Sequence, residues 1–83
     1  MVSSMQKPAR FLLLIEQGGS MVARLFDADR KHVMDFDATS EEVVVMTAGL
    51  GPAKGADARE WGLALQGHSE AERAAALVYT LDV

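Results

Sequence analysis

The chain has 83 residues, is 49% hydrophobic, and contains no cysteine. That length suits one small domain, and the missing thiols exclude disulfide staples and thiolate metal sites, a pattern that fits a cytoplasmic setting. A formal net charge of −4 with only 8 Lys+Arg argues against binding to phosphate backbones, so no nucleic-acid partner is expected.

Residues 1–9 read as a flexible N-terminal tail without the apolar core of a secretory signal, and residues 10–83 as a single small α+β domain. The longest apolar run, "FLLLI" at 11–15, is far too short to cross a membrane. "RFLLLIEQGGSMVARLFD" predicts a β-hairpin about Gly18-Gly19, because a two-residue turn demands positive φ angles that glycine takes without steric cost. Folding there sets Arg10 opposite Asp27, Phe11 opposite Phe26, Leu12 opposite Leu25 and Ile15 opposite Val22. "HVMDFD" alternates as a third strand after a turn at Asp29-Arg30, which sets Arg24 opposite Asp35, Leu25 opposite Met34 and Ala23 opposite Phe36. Two independent foldings that both match charge with charge and apolar with apolar predict a three-strand antiparallel meander.

Thr39 and Glu42 have capping-box spacing, which predicts a helix near 40–48 that Gly49, Gly51 and Pro52 terminate. In "AREWGLALQG" the alternation of Trp61, Leu63 and Leu65, with Gly62 and Gly67 weakening a helix, favours a strand near 59–66. Ser69 and Glu72 repeat the capping-box spacing and predict a helix near 70–77, followed by a last strand at 78–83. The expected order is β-β-β-α-β-α-β, a two-layer domain with a mostly antiparallel sheet and two short helices on one face.

"GLGPAKG" (49–55) is the stretch that most resembles a phosphate-binding turn. The spacing is G-x-G-x-x-x-G, Pro52 removes an amide from the would-be cradle, and Lys54 precedes Gly55 instead of following it. The expectation is a mobile loop that binds no nucleotide; a nucleotide- or phosphate-binding protein using Gly49–Gly55 is the alternative. The acids of "DADRKHVMDFD" fail the calcium-loop template, since Lys31, His32 and Ala38 occupy the third-ligand, glycine and closing-glutamate positions. The register sets Asp27 opposite His32, an acid–imidazole pair with no nucleophile beside it, so no catalytic role is expected. His68 reads as an exposed loop histidine. No cofactor and no metal ligand set is expected.

The meander sorts into two faces. One carries Leu12, Leu14, Met21, Ala23, Leu25, Met34 and Phe36, and is expected to lie under the helices. The other carries Phe11, Leu13, Ile15, Val22, Phe26 and Val33, interrupted by Arg24, Asp35 and Asp37. One layer of two short helices cannot cover both. Phe11, Leu13, Ile15, Val22 and Phe26 are therefore the expected partner-binding surface of a non-catalytic protein–protein interaction module, either a homodimer or the partner of a larger protein.

Overall fold

The computed structural model describes residues 8–81. The expected tail, apart from residues 8 and 9, and the last two residues of the expected final strand lie outside the described residues. Three strands form the meander: β1 (Phe11–Gln17), β2 (Ser20–Phe26) and β3 (His32–Ala38). Helix α1 (Ser40–Thr47) follows, then a two-residue strand β4 (Lys54–Gly55), helices α2 (Ala58–Trp61) and α3 (Glu70–Ala75), and strand β5 (Leu77–Thr80). The five strands form one antiparallel sheet in the order β3-β2-β1-β5-β4. The expected α+β class and N-terminal meander are what the chain builds. Among the described residues no helix is long and apolar enough to cross a membrane.

The hairpin register is the expected one, with Phe11 paired to Phe26, Leu12 to Leu25 and Ile15 to Val22. Gly18 and Gly19 have φ of 61° and 88°, the left-handed pair that a two-residue hairpin turn requires. Between β2 and β3, Arg24 faces Asp35, Leu25 faces Met34 and Ala23 faces Phe36, again as expected. A bulge between Leu25 and Phe26 then shifts the register, so that Phe26 and not Asp27 lies opposite His32.

β1 is the central strand, and Leu12, Leu13, Leu14 and Ile15 are all buried because both faces of the sheet are covered. A strand sandwiched in this way reads as a continuous apolar run and not as an alternation. Over the first face, Val43 and Met46 of α1 and Leu50 beyond it pack on Leu12, Leu14 and Ala23. Over the second, Trp61, Leu65 and Ala76 pack on Leu13, Ile15, Val22 and Phe26. The covering layers thus lie on opposite faces, whereas the sequence places both expected helices on the face of Leu12.

The expected strand at 59–66 is instead helix α2 and a run of turns. Asp57 caps it, its carboxylate accepting the Arg59 N–H at 2.9 Å. Trp61 and Leu65 point inward one helical turn apart, while Leu63 between them is 85% exposed. Strand β4 comes from the stretch expected to be loop: Lys54 and Gly55 pair with Val78 and Leu77.

Both expected capping boxes form. At α3 the box is extended: the Glu72 carboxylate accepts from the Ser69 N–H at 2.9 Å and from the Gly18 N–H at 3.3 Å. One side chain therefore ties the start of α3 to the hairpin tip. His68 is buried, not exposed as expected, with its Nδ1 3.5 Å from Glu72 Oε1 and without a hydrogen bond.

Two outcomes follow. Leu13 has no exposed surface, so Leu13→Asp leaves a charge in a closed core and unfolds the chain; circular dichroism showing a folded Leu13→Asp monomer would contradict the closed second face. The N–H groups of Ser69 and Gly18, chiefly the former, hold the Glu72 carboxyl below its ordinary value. A folded-state pKa below the unfolded one means that this contribution is present above the ordinary glutamate range and is lost as pH falls through the depressed value. Glu72→Gln should therefore lower the urea midpoint at about pH 7, and the difference should shrink progressively as pH is taken below the ordinary glutamate range.

Candidate functional site

The β2–β3 turn organises a large concavity on the second face. Asp27 is buried because it works as the turn's internal acceptor: its Oδ1 takes the N–H of Asp29 at 2.8 Å and of Lys31 at 3.0 Å. The backbone closes at the same place, with the Arg30 N–H donating to the Asp27 carbonyl at 2.9 Å and the Asp27 N–H to that of Lys31 at 3.0 Å. Arg30 is forced to φ 63°, a left-handed conformation that costs a non-glycine residue about 1 kcal/mol or more.

In that conformation the Arg30 side chain reaches the second face. Its guanidinium lies 5.5 Å from the ring centres of both Phe11 and Trp61. Its Nη2 meets Glu60 Oε2 at 2.8 Å. The Trp61 indole stands edge-on to Phe11 at 5.3 Å and to Phe26 at 5.1 Å. Aromatic edges and faces of opposite partial charge meet in this geometry, which adds to the stabilisation from burial. Arg24, which interrupts the second face, donates from Nη1 to the Ala64 carbonyl at 3.3 Å and has its Nε 3.8 Å from Asp35. It fastens the segment after α2 onto β2.

Between this turn and residues 58–66 runs a groove of about 1110 Å³. Phe26 and Trp61 contribute apolar surface to it, and the exposed Leu63 stands among its lining residues. Four cationic side chains line it, Arg24, Arg30, Lys31 and Arg59, against two acidic ones, Asp29 and Glu60. These are half of the chain's 8 Lys+Arg. Arg24 and Arg30 already have carboxylate partners in Asp35 and Glu60, whereas no described side chain pairs with Lys31 or Arg59. His32, also in the lining, holds Asp35 through Nε2 at 2.6 Å and stacks edge-on to Phe26. The expected Asp27–His32 pair does not form, because the bulge moves His32 and the turn uses the Asp27 carboxylate.

The expected partner-binding residues lie together, but inward. Leu13 is 0% exposed, Ile15 1%, Phe26 5% and Val22 9%, and Phe11 is half-buried against Trp61. The chain itself covers this patch. What remains open on the second face is the polar end around Arg24, Lys31 and Arg59. Two signals in the sequence point to the cover: Asp57 with Glu60 three residues on, the spacing of a helix start, and Trp61 with Leu65 four apart.

Within 49–55, residues 49–53 are turn and irregular backbone and only the last two residues join the sheet edge. Lys54 and Gly55 are in β4, and Ala56 donates to the Ala76 carbonyl at 3.1 Å. None of Gly49, Gly51 and Gly55 has positive φ, so the backbone does not alternate in hand as an anion-binding nest does. Among the described residues no three His, Cys, Asp or Glu side chains converge to hold a metal ion. No protein-family model, curated protein or solved structure matches the chain.

The aromatic contacts and the ion pair contribute unequally. Trp61→Ala should cost about 3–5 kcal/mol, the usual figure for a buried aromatic. Arg30→Ala should cost about 1 kcal/mol, since its ion pair is exposed and its stacking is shared with water. Urea denaturation of both variants measures this, and an Arg30 effect equal to that of Trp61 would show that the charge and not the indole holds the cover.

Proposed function

We propose that the chain is a small non-catalytic protein–protein interaction module, and that it holds an acidic segment of a partner protein in the groove beside the β2–β3 turn. The observation that carries this reading is the gathering of four of the eight Lys+Arg side chains around one concavity in a chain of net charge −4. Two of the four, Lys31 and Arg59, have no carboxylate partner among the described residues, which leaves two positive charges directed at whatever enters. Leu63, 85% exposed, supplies the apolar anchor that a purely ionic contact lacks. Interfaces draw their affinity from a few such anchors, while charges at the rim steer the encounter and set its salt dependence. Arg30, stacked on the core rings, makes the floor of the groove rigid, so little ordering is needed on binding.

The test is a titration of the isotope-labelled chain with a peptide of glutamates and leucines, read at the backbone amides of residues 28–32 and 59–66. Saturable shifts confined to those amides, weakened by salt, are the expected result. Lys31→Glu with Arg59→Glu should reduce the affinity about tenfold or more while leaving circular dichroism unchanged. The reading fails if the peptide leaves these amides unmoved, or if a mononucleotide or inorganic phosphate saturates them where the peptide does not.

A further inference from the structure

Among the described residues, the outer edge of β3 is unpaired. β3 ends the strand order, and among the described residues only β2 is hydrogen-bonded along it. At seven residues it is as long as β1 and β2, whereas the opposite edge strand β4 has two. Every second residue of an edge strand turns its N–H and C=O away from the sheet, a ready template for another strand. His32, Met34, Asp35 and Asp37 are exposed along it.

We infer that β3 accepts an extended segment of another protein, and that the segment alternates basic and apolar side chains. The alternation follows from the two faces of β3. On the first face Met34, 47% exposed, and the half-buried Phe36 extend the apolar row that α1 covers. On the second lie Asp35 and Asp37, facing Arg24 and Val22 of β2. Asp35 is compensated by Arg24 and by His32, but no described side chain pairs with Asp37. The hollow beside Asp37 also carries Glu16 and Glu42, and no lysine or arginine lines it. An added strand with a lysine or arginine beside Asp37 and aliphatic residues beside Met34 and Phe36 meets both faces; opposite-charge and apolar cross-strand neighbours stabilise, and like charges do not.

The same residues argue against a second copy of the chain. Antiparallel pairing of β3 with itself must keep each face aligned with its own kind. Centred on Asp35, it sets two Asp35 carboxylates against each other. Centred on Phe36, it sets Asp35 against Asp37, and centred on Met34 it sets Asp35 against Val33. Two of these registers oppose acid to acid and the third sets an acid against valine, so each is poorer than pairing with a cationic strand. This surface adjoins the groove at His32, but the proposed pairing along β3 does not depend on how the groove is used.

The experiment titrates the full chain with a short peptide alternating lysine and valine, read by amide shifts and by hydrogen exchange. The expected result is saturable shifts centred on residues 32–38, with slowed exchange at the β3 amides that face outward. A block peptide of the same composition, lysines first and valines after, should bind markedly less. Asp37→Lys should weaken binding roughly tenfold and give measurable binding to an alternating glutamate–valine peptide. Equal binding of the block peptide, shifts centred on Lys31 and Arg59 instead of β3, or no shifts at all would each overturn the inference, as would a β3-paired dimer of the chain alone in light scattering.

Discussion

The edge-on contact of the Trp61 indole with Phe11 and Phe26 decides the architecture. Without it the second sheet face would be an apolar surface spanning three strands, and a short chain has little else with which to cover it. With it, a four-residue helix and a few turns suffice, because one large ring reaches two strands at once. The surrounding polar contacts act on that ring's position. Arg24 holds the segment beyond it through the Ala64 carbonyl, and Arg30 closes over it from the opposite side. The charges that interrupt the second face are therefore fastenings for its cover.

Once both faces are closed, function has to be read from what the packing leaves outside. The cover shields Leu13, Ile15, Val22 and Phe26 and leaves the groove beside the β2–β3 turn open. That groove is where the turn projects its cations. The geometry of an incomplete cover, more than any single motif, produces a concave basic site on an acidic molecule. β3 is left at the margin for a related reason: the chain after it departs into α1 over the first face, and no described strand returns to its outer side.

The meander was legible from residue types because its information is local and redundant. Gly18-Gly19 permits one tight turn, and pairs such as Arg24 with Asp35 confirm the register strand by strand. Capping boxes at Thr39 and Ser69 were equally legible, since a hydroxyl and a carboxylate three residues apart satisfy each other's backbone groups wherever they occur. The segment 56–66 misled for a physical reason. Trp61, Leu63 and Leu65 satisfy a period of two, and only burial reveals that Leu63 is solvent-facing and that the working pair is Trp61 with Leu65. The partner-binding reading of Phe11, Leu13, Ile15, Val22 and Phe26 rested on both helices lying over the first face, whereas Trp61, Leu65 and Ala76 lie over the second and close it. Three of the groove's cations lie within residues 24–31, but Arg59 joins them only through the fold, and no local pattern announces that convergence.

The position of β5 has a consequence for how the molecule reaches this state. The meander can form as soon as residues 11–38 are available, but the second edge of β1 is completed only by residues 77–80. Contacts that join such distant stretches form late, because the loop between their ends must close first. During synthesis the most apolar strand of the protein, Leu12 to Ile15, therefore waits with one edge open while more than half of the chain is still to be made. The interval between the emergence of β1 and the arrival of β5 is the period in which a molecule of this topology is most exposed to pairing with the wrong strand.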